Sequence, residues 1–227
     1  CKPTCATIYL SATPSKADQI AIKKGALKCC LIPARYHLYS LDIPKFQWAG
    51  NLEKALKKGR LPKAVLRWMR KKLATNRRAL LFVPTIEAGY LLQQVLKKLL
   101  RLEVAFVYSS DEQRISKVKA FKEGEGQFLI TTMILERGVT IADIDVAIFC
   151  AEHEVYEESA LVQISGRVGR NPKYPHGEII FFHYGITEAM DAAREQIKRM
   201  NQSAWKQHLL KEEPKYEMSS LLSIYRY

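Results

Sequence analysis

Late in the 227-residue sequence runs Gln163-Ile-Ser-Gly166-Arg167-Val-Gly169-Arg170, two arginines three apart and each preceded by glycine. Glycine lets backbone approach an anion closely, and a guanidinium fork matches phosphate oxygens in a bidentate way. Such a pair also reads as a solvated basic turn, so its company decides. Upstream, Leu129-Ile-Thr131-Thr132 leads through Glu136-Arg137-Gly138 to Thr140. Leu80-Leu-Phe-Val83-Pro84-Thr85 closes a second apolar run on a threonine, and Ser11-Ala12-Thr13 closes a third. Hydroxyls and tight turns at the carboxyl ends of parallel strands stand where open α/β sheets bind ligands. The same threonines also fit as simple caps or turn residues.

These groups need a scaffold, and the apolar pattern supplies one. Runs that are apolar throughout predict strands at 79–83, 104–107, 128–131, 146–149 and 178–182. Helical stripes between them predict helices at 63–73, 91–100, 111–122, 156–163 and 187–200, with Asp111 and Thr187 placed as caps. Strands without alternation, separated by helices, imply an α/β fold: a parallel sheet with helices on both faces.

Earlier in the chain, 6–10 and 27–32 read as strands flanking a helix at 16–24 that Gly25 stops. Residues 1–33 offer too little to bury a core and are expected to be the carboxyl end of a preceding domain. The opening residue is Cys1 rather than methionine, in keeping with a fragment. Residues 34–51 read as an ordered connector, because Tyr36, Tyr39, Phe46 and Trp48 are too apolar for a free linker. Residues 52–200 then form the second domain. The remainder, 201–227, has no strong period and reads as a loosely docked helix with a disordered end.

Composition narrows the class. At 48% hydrophobic and 26% charged, the chain has the makeup of a globular protein with a core. No apolar run approaches the ~18 to 20 residues of a membrane-spanning helix, and the first ten residues lack the pattern of a secretion signal. Thirty-six Lys and Arg against 23 Asp and Glu leave +13, which favours a polyanionic partner. Eleven of the basic residues fall between Lys54 and Arg78 with no acidic residue among them: a phosphate-facing surface, or a solvated helix face. The five cysteines include no CxxC pair, which speaks against a metal site and for a reducing cytoplasm.

Taken in order, Ser11-Ala12-Thr13, Phe82 to Thr85, Thr131 to Gly138 and Gln163 to Arg170 resemble superfamily 2 helicases from their third motif to their sixth. Tyr108 to Arg114, continuing to Phe121-Lys-Glu-Gly124, is similar to the segment those proteins carry between motifs four and five. The likeness covers about residues 6–200. Within the superfamily it runs strongest toward the late competence helicases of transformable bacteria, through Tyr9 to Pro14, Pro33-Ala-Arg-Tyr36-His37, Leu135 to Thr140 and the arginine segment. Primosomal restart helicases come second, since they usually carry zinc-spaced cysteine pairs that are absent here.

The resemblance implies a RecA-like second motor domain, preceded by the last strands of the first. It implies ATP, with Mg2+ held by the first motor domain, and single-stranded DNA as ligands. Gln163, Arg167 and Arg170 would reach the γ-phosphate, and Gly138 would lie near the ribose. Thr85 with Thr131 or Thr132 would donate to the DNA backbone, and Ser11 and Thr13 would couple hydrolysis to domain motion. Two departures stand out: Thr140 replaces an aspartate common in the superfamily, and Ile164 replaces the arginine usual in DEAD-box proteins.

Neither a GxxxxGK[ST] phosphate loop nor a DExx carboxylate pair occurs in the 227 residues, so the chain alone is expected not to turn ATP over at a motor's rate. The expected role is the carboxyl-terminal motor half of an ATP-dependent DNA helicase, driving uptake of transforming DNA in the cytoplasm. Its expected partners are the first motor domain, other competence proteins that bring it to the membrane, and no membrane span of its own. A restart helicase, or a non-enzymatic basic nucleic-acid-binding module, is the alternative.

Overall fold

The computed structural model describes residues 8, 10, 11, 14, 16–136 and 141–214. It divides the chain into two compact units, Cys1–Ile32 and Pro33–Tyr227.

In the first unit the regular element among the described residues is helix α1 (Lys16–Lys23), after which Gly25 takes a φ of +71°. The strand expected at 27–32 does not form, and Leu31 and Ile32 are exposed. A strand needs a neighbour for its backbone hydrogen bonds, and among the described residues none pairs with this segment. Most of the run expected at 6–10 lies outside the described residues.

The second unit is built on six parallel strands: β1 (Lys45–Trp48), β2 (Arg78–Phe82), β3 (Ala105–Val107), β4 (Phe128–Thr131), β5 (Ile144–Phe149) and β6 (Ile179–His183). Their order across the sheet is β1-β6-β5-β2-β4-β3. Central register runs Phe82 against Thr131 on one side and Ile148 on the other. Parallel strands need crossovers, and helices supply them: α2 (Leu52–Lys57), α3 (Lys63–Ala74), α4 (Ile86–Leu100), α5 (Arg114–Glu123), α6 (Glu158–Ser165) and α7 (Glu188–Lys206).

Side-chain alternation divides the core into two layers. Ala79, Leu81 and Val83 of the β2 segment face α2, α3 and α4 through Leu56, Met69 and Leu92. Leu80 and Phe82 face α5, α6 and α7 through Phe121, Ile164 and Met190. Burying one such side chain stabilises by about 1.5 to 3 kcal/mol. Among the described residues no helix is long and apolar enough to cross a membrane.

Three elements differ from the sequence reading. The connector contains β1, which joins the sheet edge beside β6, with Phe46 stacked on Phe181. Helix α5 starts at Arg114; Asp111 stands outside it and accepts from the Gln113 N–H instead of capping. Helix α7 runs on to Lys206, where 201–227 was expected as a tail, because Asn201 is buried and bonded to Leu41. Thr187 does cap α7, accepting from the Met190 N–H. Residues 215–227 lie outside the described residues.

Candidate nucleotide and nucleic-acid site

Two groups of the expected site residues come into position at the second unit. The first stands at the carboxyl ends of β2 and β4, which are neighbours in the sheet. Thr85 caps α4, its Oγ1 accepting from the Ala88 N–H at 3.1 Å, and the residue is exposed. A cap that accepts one bond keeps its own hydroxyl proton for a ligand.

Thr131 and Thr132 part company. Thr131 is wholly buried, and its hydroxyl donates to the Thr132 carbonyl at 2.9 Å. Its hydroxyl proton is thus engaged internally, which leaves Thr132 as the more accessible of the two expected donors. Thr132 is half-buried and directly precedes the short 3-10 turn Met133–Glu136.

The second group is the arginine segment. Gln163 lies in the last turns of α6, half-buried, and Gly166 ends that helix. Arg167 is buried at 3% exposure, and Arg170 is half-buried with its Nε donating to the Gly166 carbonyl at 2.9 Å. Burial lowers the Arg170 pKa from its ordinary value. Helix α6 packs against the 3-10 turn Met133–Glu136 that follows β4, so the arginine segment and the threonine edge share a neighbour.

Sequence reasoning missed the group that holds this loop. Arg35, just inside the second unit, donates from Nη1 to the carbonyls of Val168 (2.7 Å) and Gly169 (3.0 Å), and from Nη2 to that of Gly166 (3.2 Å). Tyr36 adds its hydroxyl to the Arg170 carbonyl at 3.2 Å. Burial first, then repulsion from Arg170, bring the Arg35 pKa down to about 10, with Asp42 opposing. In sequence Pro33-Ala-Arg-Tyr36-His37 stands out only as a likeness; an arginine in an irregular stretch carries no period that would reveal its partners.

Gly169 acquires a reason that differs from anion approach. It has a φ of +67°, and a Cβ there would sit 2.0 Å from the Pro175 carbonyl oxygen and 3.0 Å from Arg35 Nη1. The glycine is needed for closeness to protein. The Arg35 and Arg170 guanidiniums thus meet at the Gly166 carbonyl, and burial is the first cause that lowers the pKa of each from its ordinary value. The half-buried Arg170 guanidinium is donor chemistry that fits a phosphate group.

Of the remaining expected residues, Gly138 and Thr13 lie outside the described residues, and Ser11 is exposed within the first unit. The basic run between Lys54 and Arg78 is partly internal. Lys72 is buried against Asp145 and Glu178, Arg77 pairs with Asp143 and Asp145, and Arg78 donates to the carbonyls of Phe121 and Ala142. Lys63, Arg67 and Arg70 of α3 stay exposed and line a shallow groove with Leu66.

Comparison with known proteins bears on the same residues. Residues 58–172 match the model of the helicase conserved C-terminal domain. Competence protein ComFA of Bacillus subtilis is 40% identical over 207 residues, covering 90% of this chain and 44% of that protein. ComFA of Streptococcus pneumoniae is 36% identical, covering 87% of this chain and 46% of its own. The chain therefore spans just under half the length of these curated relatives. Among solved structures, S. cerevisiae Dbp5 bound to RNA and ADP BeF3 superposes with a TM-score of 0.54 at 18% identity, covering 88% of this chain and 52% of that one, a likeness of fold.

Proposed function

Because this chain belongs to the helicase conserved C-terminal domain family, with a RecA-like fold and a close likeness to ComFA, we propose that it is the second lobe of a two-lobed, ATP-driven motor that moves single-stranded DNA. The observation that carries the reading is the arginine loop, with the Arg170 guanidinium oriented through its Nε and only half-buried. Arg167 and Arg170, with Gln163, meet the terminal phosphate of ATP held on the other lobe. Phosphoryl transfer spreads charge over the equatorial oxygens, and a guanidinium placed there contributes about 10³- to 10⁵-fold in rate. Magnesium, when bound with the nucleotide, would supply further charge neutralisation, and carboxylates of the other lobe would hold it.

Thr85 and Thr132 bind the DNA backbone, which positions the strand without reading its sequence. The printed name of the two relatives, competence protein, supports a task in competence; on this reading the motor imports transforming DNA, works in the cytoplasm and is brought to the membrane by other competence proteins. The test is Arg170→Ala and Arg167→Ala in the two-lobed protein. ATP turnover is expected to fall at least 10³-fold while DNA affinity stays. Loss of neither favours a non-enzymatic binding module, and a gene deletion that blocks replication restart but spares transformation favours a restart helicase.

A further inference from the structure

We propose that Arg35 is a positioning residue of this motor: it fixes the pitch of the loop 166–170 so that Arg167 and Arg170 reach the nucleotide, and it ties that pitch to the connector. The catalytic consequence rests on the motor reading above; the positioning itself rests on geometry alone.

A loop that must present the half-buried Arg170 guanidinium has to satisfy its own carbonyls elsewhere. Here the carbonyls of Gly166, Val168 and Gly169 all take donors from the Arg35 fork, and that of Arg170 takes the Tyr36 hydroxyl. The Gly166 carbonyl also takes Arg170 Nε, so one oxygen joins Arg35 and Arg170 directly. Bonds from a charged donor are roughly twice as strong as neutral ones, and a planar fork holds its acceptors at fixed spacing. Lysine in this place would keep the charge and lose the fork.

The burial that lowers the Arg35 pKa marks a real desolvation cost, which a surface arginine serving only solubility would not incur. Gly169 seals the arrangement, since any side chain there would drive into Pro175 and the Arg35 head. Arg35 follows the first unit's last residue, Ile32, by three positions, so a shift of the connector changes the loop through one side chain. Another anchor of the connector is separate: Asn201 of α7 holds Leu41 through both its amide atoms.

The test compares Arg35→Ala, Arg35→Lys and Asn201→Ala in the two-lobed protein, beside Arg170→Ala. Displacing a catalytic group by about 1 Å costs on the order of 10²-fold. Arg35→Ala is therefore expected to lower kcat between about 10- and 100-fold with DNA affinity unchanged, and Arg35→Lys to recover part of it. Asn201→Ala, which loosens the same connector away from the loop, is expected to lower the melting temperature and keep kcat.

On the 227-residue chain, amide hydrogen exchange in Arg35→Ala is expected to speed up at 166–170 and stay unchanged in α7. Unchanged exchange at 166–170 overturns the positioning. So does a kcat loss in Asn201→Ala equal to that in Arg35→Ala. Wild-type kcat in Arg35→Ala, while Arg170→Ala abolishes turnover, removes the catalytic consequence and leaves the motor reading standing. Full turnover in Arg170→Ala instead fails the motor reading, and the exchange result then decides the Arg35 assignment alone.

Discussion

Lys72 and Asp145 form a buried ion pair beneath the amino-terminal edge of the sheet, Nζ to Oδ2 at 2.5 Å. Asp145 also takes Arg77 Nη2 and the Glu178 N–H at 2.8 Å each, while Lys72 pairs with Glu178 at 2.7 Å. Four groups from three well-separated stretches of sequence thereby pin the starts of β2, β5 and β6 at the end opposite the threonines. Charge that composition assigned to a partner is here consumed in holding the scaffold.

Removing the carboxylate leaves Lys72 buried without its principal partner. Breaking one side of a buried pair costs about 3 to 5 kcal/mol. Asp145→Asn is thus expected to lower the unfolding free energy read from urea curves by about 3 to 5 kcal/mol, with arginine-loop exchange little changed.

The same cluster sets the acid limb of stability. Burial pushes the Asp145 carboxyl up, but the bonds from Arg77, then Lys72 and the Glu178 N–H, together outweigh it and leave its pKa below the ordinary value. Glu178 is likewise lowered, with Lys72 overcoming burial. A depressed folded pKa stabilises fully above the unfolded carboxylate value, about 4, and that contribution is lost as pH falls through the folded value. Urea midpoints measured from pH 7 down to 2 should hold and then drop below about pH 4, with a shallower drop in Asp145→Asn. An unchanged drop in the variant would place the acid limb elsewhere.

What the sequence could and could not reveal follows from where each signal resides. The central strands were legible because β2, β4 and β5 are buried on both faces and so read as continuous apolar runs. Edge strand β1 leaves Lys45, Gln47 and Trp48 exposed, and α2 has only six residues, too few to show a helical period. Arg167 and Arg170 announced themselves through residue type and spacing. Arg35 did not, since its acceptors are backbone carbonyls 131 to 134 residues away. Thr131 and Thr132 are chemically identical in sequence, and burial alone separates them.

Gly169→Ala tests the packing around the arginine loop. The left-handed backbone costs a β-carbon about 1 to 2 kcal/mol, and overlap with the Pro175 carbonyl adds to that. A loss of more than 2 kcal/mol is expected, along with lower ATP turnover in the two-lobed protein. Gly185→Ala, where a Cβ meets open space, is the control and should stay within about 0.5 kcal/mol of the parent. Equal behaviour of the two variants would mean the loop relaxes freely.

The threonine edge separates by variant. Thr131→Val removes a buried hydroxyl whose bond to the Thr132 carbonyl is worth about 1 kcal/mol net, so stability should fall and DNA affinity should stay. Thr132→Val should do the reverse. Thr85→Ser keeps the cap on Ala88 and keeps the hydroxyl, whereas Thr85→Ala loses about 1 kcal/mol of helix capping and weakens DNA binding as well. Melting curves paired with fluorescence anisotropy on a labelled oligonucleotide resolve the four variants.

The exposed face of α3 offers the last test, and its readout is salt. Arg67 and Arg70 remain exposed after Lys72, Arg77 and Arg78 are committed internally. Each phosphate neutralised on a single strand contributes about 0.7 to the slope of log affinity against log salt, through released counterions. If DNA crosses this face, changing both arginines to alanine should flatten the slope by about 1.4, with little effect on melting. Thr132→Val, a neutral change at the strand ends, should weaken binding without altering the slope. A double variant that keeps the parent slope would make α3 a solvated face, leaving the threonine edge as the DNA contact.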